Sequence, residues 1–129
     1  MVLVDTTIWI DFLQHPASHN ADKLEKLIRV HNQAVLCGIV LQEVLQGIRD
    51  IKSFTATKGR LQKLPCLDMG KEIYLAAATL YRSLRAKGVT VPSADTAIAA
   101  LAIHNRIPLF TGDAHFSIIA EHSRLQLYR

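Results

Sequence analysis

Three apolar runs, "VLV" at residues 2–4, "AVLC" at 34–37 and "IPLF" at 107–110, constrain this chain more than any other feature. Each is too short for a helix and apolar at both alternating positions, so each has to be buried on both of its faces. The segments between them carry helical spacing instead. "TTIWIDFLQ" sets Ile8 and Phe12 four residues apart and is closed by His15-Pro16. "NADKLEKLIRVHN" repeats apolar residues at Ala21, Leu24, Leu27 and Ile28, with Asp22 suited to the helix start. "IVLQEVLQGI" and the basic "SFTATKGRLQKL" read as helices, the second ended by Pro65. A long helix runs from Gly70 to Lys87 and stops at Gly88, and "SADTAIAALAIHN" forms another with Ser93 as N-cap. "RLQLY" reads as a last strand. Buried strands alternating with helices predict an α/β fold, a three-layer α/β/α sandwich around a central, mostly parallel sheet. Residues 1–129 are expected to form one domain.

Composition narrows the function classes. A chain that is 50% hydrophobic and 20% charged is globular rather than disordered. No apolar run approaches the ~20 residues of a membrane span, and no basic segment precedes the first apolar one, so the expected location is cytoplasmic. Cys37 and Cys66 lack CxxC spacing and read as two core thiols, not as a metal knuckle or a disulfide. Fifteen Lys and Arg against eleven Asp and Glu leave a formal charge of +4, a mild excess that suits a polyanionic partner. The cations cluster at Arg49, Lys52, Lys58, Arg60 and Lys63, and again at Arg82, Arg85 and Lys87. Taken alone, such clusters describe solvated helix faces.

Four acids stand out against this pattern. Asp5 follows "VLV" and Asp113 follows "IPLFTG", which sets two carboxylates past the carboxyl ends of strands, where open parallel sheets bind ligands. Glu43 lies on or beside the apolar stripe of its helix, an unfavourable place for a charge without a partner. Asp95 falls in the first turn of its helix, where the dipole favours the ionised form. Local roles exist for three of them: Asp5 as a helix cap, Asp95 as a helix starter, Asp113 as a turn residue. Were all four to converge, their repulsion would raise the pKa values unless a cation neutralised them, and oxygen-only ligands select Mg²⁺ or Mn²⁺ over zinc. The hydroxyls of Thr6, Thr7 and Thr111 are placed to orient carboxylates or waters around such an ion. Asp11, six residues beyond Asp5, points roughly 240° away at ~100° per residue and reads as an exposed or ion-paired side chain. Trp9 reads as a packing residue. Pro16 between His15 and His19 argues against a histidine metal pair.

Together, "VDTTIWIDFL", "GIVLQEVLQG", "VPSADTAIAALA" and "LFTGDAHF" resemble the four acidic blocks of PIN-domain ribonucleases, in order and across nearly the whole chain. The resemblance is closest to VapC-type toxins of bacterial toxin–antitoxin pairs. It implies that Asp5, Glu43, Asp95 and Asp113 form a catalytic, metal-binding quartet, with Thr6 as an accompanying hydroxyl. It also implies Mg²⁺ as cofactor, with Mn²⁺ as the alternative, and metal-assisted hydrolysis of RNA phosphodiester bonds. The implied partners are an RNA substrate, a VapB-type antitoxin that reaches the carboxylates with a basic side chain, and a second copy in a homodimer that assembles further with the antitoxin. Arg82 and Arg85 are the candidate RNA-binding residues, from charge alone. Ile8, Trp9 and Phe12 are candidates for a groove or dimer surface, with core packing as the competing reading. At one position the chain departs from many relatives: His115 stands where they carry a second aspartate, and it reads as a surface or packing histidine, with contact to a phosphate or a metal-bound water as the alternative. A PIN-fold module that binds RNA or antitoxin with little catalysis is the alternative. A receiver domain would need an acidic pair after its first strand, and an aspartate-nucleophile phosphatase would need an acid at residue 7, which is Thr.

Overall fold

The apolar runs become the centre of the molecule in the computed structural model, which describes all 129 residues. Strand β1 (Val2–Val4) lies between β2 (Ala34–Cys37) and β4 (Leu109–Phe110), and β3 (Cys66–Leu67) pairs with the outer side of β2. Every pairing is parallel, and Leu3 sits opposite both Val35 and Leu109. All residues of β1, β2 and β4 are buried, as the absence of polar alternation requires. Seven helices flank the sheet: α1 (Thr6–Gln14), α2 (His19–Arg29), α3 (Gly38–Gln46), α4 (Ile51–Leu61), α5 (Lys71–Ala86), α6 (Ser93–Asn105) and α7 (Ala114–Glu121).

Helix α6 is the interior helix. Thr96 through Ala102 are buried without interruption, so it has no solvent face over two turns. Its alanines let it lie close to α5, with which it shares the most extensive helix contact in the molecule. Its Ile98 and Leu101 are fully buried in the same core cluster as Leu3, Leu36, Leu109 and Phe116. Each contributes about 1.5–3 kcal/mol by leaving water, and this packing fixes where the ends of β1, α6 and β4 stand relative to one another.

The local stops follow the sequence chemistry. Gly88 adopts φ +78° just past α5, a conformation that L side chains rarely adopt. Asp50 caps α4 by accepting from the Ser53 N–H at 2.9 Å.

Helix α2 begins at His19 with Asp22 in its first turn, as expected, and Ser18 supplies the cap by accepting from the Ala21 N–H. Several other expectations need correction. Asp11 forms no ion pair; it accepts from the Ser18 hydroxyl at 2.6 Å and ties the α1–α2 turn. In α6, Pro92 holds the cap position and Ser93 is the first helical residue. "RLQLY" makes only one parallel bridge, Leu127 to Leu109, held by hydrogen bonds from Leu109 N–H to Gln126 O and from Tyr128 N–H to Leu109 O, and is too short a pairing for a strand. Cys66 is exposed on the edge strand, so only Cys37 is a core thiol, and burial pushes its pKa up to about 11. Ile8 and Trp9 are buried in the core and form no open surface, while Phe12 is partly buried, edge-on to Trp9 at 6.3 Å. Trp9 Nε1 is buried without a hydrogen-bond partner. The expected α/β architecture with a parallel sheet holds, every pairing being parallel, and no helix is long and apolar enough to cross a membrane.

Candidate active site

The end of β1 turns directly into α1, and the turn residues do the work of assembly. Asp5 occupies the N-cap position of α1, yet its side chain makes no capping bond. Its Oδ2 accepts instead from the hydroxyls of Thr7 at 2.9 Å and Thr111 at 2.8 Å. Each hydroxyl has one proton to give, and both go to this buried carboxylate. The same two oxygens accept backbone protons, Thr7 from Gly112 N–H at 2.9 Å and Thr111 from Asp113 N–H at 3.0 Å. Asp5 is thereby bolted to the turn that follows β4. Thr6 faces the other way and donates to Glu43 Oε1 at 2.8 Å, which fixes the acid that α3 would otherwise hold against apolar neighbours. The "DTT" triplet therefore joins three of the four acidic blocks.

The fourth comes from α6. Asp95 lies in its first turn, and its Oδ2 is buried with no hydrogen-bond partner. Burial pushes its pKa up from 3.8 to about 6; Asp113, Asp5 and Glu43 add to the rise, and His115 opposes it. Asp113 caps α7 by accepting from the His115 N–H at 2.9 Å. The cap starts α7 so that the His115 ring faces both acids, with Nδ1 3.3 Å from Asp95 Oδ2 and 3.2 Å from Asp113 Oδ1. Ligand atoms of Asp95, Asp113 and His115 all lie within 4.8 Å of one another, a spacing that one ion can span. Asp5 and Glu43 stand outside that group. They act on Asp95 through charge and are held by their threonines.

The donor set fits a divalent cation. A buried, unpartnered carboxylate oxygen with a raised proton affinity is what an anionic site shows when its charge is uncompensated. Asp95 and Asp113 would bind such an ion directly, with Asp5 and Glu43 adding negative charge around it.

Arg82 and Arg85 are exposed on α5. Arg82 lines an open groove of about 610 Å³ with Tyr74, Tyr81 and Ile39, and the groove reaches Ser93 and Ala94, the residues preceding Asp95. The Arg85 guanidinium lies 5.9 Å from the Tyr81 ring centre. This groove was not foreseen from the sequence, although Tyr74, Ala77, Ala78 and Tyr81 recur at helical spacing and give the signal for an apolar stripe. His115 stands at the surface, as the sequence reading has it, and its ring also faces the acidic cluster, which that reading gave only as the lesser alternative.

Comparison with known proteins gives a consistent result. A family model described as PIN domain matches residues 2–122. Ribonuclease VapC11 of Mycobacterium tuberculosis and a VapC ribonuclease of Mycobacterium bovis are each 33% identical over 129 residues, spanning 98% of this chain and 96% of theirs. Among solved structures, DNA-bound VapBC from Salmonella typhimurium superposes with a TM-score of 0.82 at 17% identity, over 98% of this chain and 96% of that one. VapBC2 from Rickettsia felis, bound to a promoter DNA fragment, gives 0.81 at 20% identity, over 99% and 98%. At such identities the structural likeness concerns the fold.

Proposed function

The chain belongs to the PIN-domain family and is a homologue of the VapC ribonucleases, and from that premise we propose that it is the toxin of a toxin–antitoxin pair, a divalent-metal-dependent endoribonuclease. The observation that carries the reading is the buried, unpartnered Asp95 Oδ2 within reach of Asp113, in a chain of this ancestry. Nucleases of the family are metal-dependent; the ion proposed here is of the Mg²⁺ or Mn²⁺ kind.

In this proposal Asp95 and Asp113 hold the ion. A bound divalent cation lowers the pKa of water and stabilises charge developing on phosphate oxygens. Asp5, held in place by Thr7 and Thr111, adds to the negative charge that draws the ion in. Thr6 holds Glu43 through Oε1 and leaves Oε2 to accept from the attacking water. Arg82 and Arg85 bind the RNA backbone, offsetting the repulsion between a polyanion and an acidic centre.

The partner is a VapB-type antitoxin, supported by the toxin–antitoxin complexes among the similar folds, and the protein forms a homodimer that assembles further with it. A basic antitoxin side chain reaches the carboxylates. A crystal structure of the complex with the antitoxin confined to the opposite face would remove this part of the proposal.

The decisive experiment is RNA cleavage by purified, antitoxin-free protein with Mg²⁺ or Mn²⁺ and with chelator, beside folded Asp5→Asn and Glu43→Gln proteins. Metal-dependent cutting lost in both variants is the expected result. Absence of cutting by folded wild-type protein with every metal would favour the fold acting as a binding module.

A further inference from the structure

His115 occupies a position where an aspartate would complete an all-oxygen site. Its Nδ1 lies 3.3 Å from Asp95 Oδ2 and 3.2 Å from Asp113 Oδ1. The first contact is not a hydrogen bond, since Asp95 Oδ2 has no hydrogen-bond partner. Both separations are those of neighbouring ligands on one cation. Bonds of about 2.1 Å place donor atoms about 3.0 Å apart at a right angle and about 3.4 Å apart at the tetrahedral angle. The observed distances fall between these two.

The ring is also free to serve. Its side chain is 47% exposed, so it is no part of the core. Its own backbone N–H is anchored to Asp113 Oδ1 at 2.9 Å, which fixes the start of α7 and brings the ring toward the two acids. Ligation through Nδ1 requires the imidazole proton on Nε2, on the far side of the ring.

We infer that His115 is a ligand of the metal centre and that its imidazole shifts the preference of the site from Mg²⁺ toward Mn²⁺ and Co²⁺. Mg²⁺ takes oxygen donors and sheds water reluctantly, so replacing a carboxylate by a nitrogen donor weakens its hold. First-row ions gain from imidazole, increasingly so from Mn²⁺ toward Cu²⁺. The inference rests on the nuclease reading only in requiring a divalent ion at Asp95 and Asp113.

The test is ion binding without RNA, on the full chain. Mn²⁺ uptake is followed by loss of the free-ion electron paramagnetic resonance signal, with Mg²⁺ as competitor, for wild type and for His115→Asp, His115→Ala and Asp95→Asn. Wild type should prefer Mn²⁺ over Mg²⁺, and His115→Asp should reduce that preference by on the order of tenfold through gained Mg²⁺ affinity, as an all-oxygen site requires. His115→Ala should lose Mn²⁺ affinity, and bound Mn²⁺ should broaden the His115 ring resonances before those of the other histidines. Unchanged selectivity in both His115 variants, with binding abolished in Asp95→Asn, would overturn the role of His115 and leave the metal site standing. Failure of wild type to take up either ion would overturn both readings.

Discussion

Replacing Asp95 by Asn should make the metal-free protein more stable at neutral pH. Burial first, and then the charges of Asp113, Asp5 and Glu43, push this carboxyl from 3.8 up to about 6, against the pull of His115. The unfolded chain therefore releases the proton before the folded chain does. Between about pH 4 and 6 the folded state binds more protons, so stability falls as pH rises through that interval and stays low above it. At 1.36 kcal/mol per pH decade the full effect is about 3 kcal/mol, and solvent screening in an open cleft reduces it to about 1–2 kcal/mol. Asn keeps the shape of the side chain and removes the charge. Urea denaturation in chelator should show the variant about 1–2 kcal/mol more stable at pH 7.5, with the difference vanishing near pH 4. Saturating Mn²⁺ should reverse the order, since an ion at a hundred times its dissociation constant adds about 2.7 kcal/mol to a protein that binds it and nothing to one that does not. A variant less stable than wild type at pH 7.5, or a gap that is the same at both pH values, would refute the argument that an uncompensated charge sits at this site.

Two further outcomes follow from the hydrogen bonds and the groove. Thr111→Val removes a hydroxyl that donates to Asp5 and accepts from Asp113 N–H; it should destabilise the fold by about 1–3 kcal/mol in urea denaturation and weaken ion binding, and a neutral effect would show that the threonine does not position the acids. Arg82→Ala, made in an Asp5→Asn background that cannot cut, should weaken RNA binding and lower the salt dependence of log K by about 0.7, one phosphate contact on a single strand. An unchanged slope would place Arg82 away from the path of the RNA.

The parts of the fold that were legible are those whose physics is local. "VLV" and "AVLC" have no polar face, so a buried strand is the only arrangement that suits them. Gly88 past α5 announces its own conformation. Strand β3 was not legible, because two residues of pairing at Cys66–Leu67 leave no periodicity to detect. Helix α7 went unread because its apolar positions, Phe116 and Ile119, make a single turn of pattern after the "TGD" that reads as a simple turn. Among the acids, Glu43 was conspicuous in the sequence because a charge beside an apolar stripe demands a partner, and Thr6 meets that demand. The surface place of His115 was legible, but its approach to Asp95 and Asp113 was not, because that depends on where α7 begins relative to α6. Trp9 and Ile8 were ambiguous in the sequence, since an apolar helix face looks the same whether its cover is the core or another molecule.

The placement of β1 between β2 and β4 has a consequence for the order in which the protein is made. β1 can pair with β2 once about 37 residues exist, but its other neighbour begins at Leu109 and the last acid follows at Asp113. Asp5 depends on Thr111 for one of its two hydroxyl bonds, and Asp95 has neither Asp113 nor His115 beside it until the turn after β4 is present. At about 5–20 residues per second, a ribosome spends about 1–4 seconds holding a chain in which three of the acids are present and the site is not. The acidic cluster is thus the last part of the molecule to be completed, after most of the core that supports it has been made.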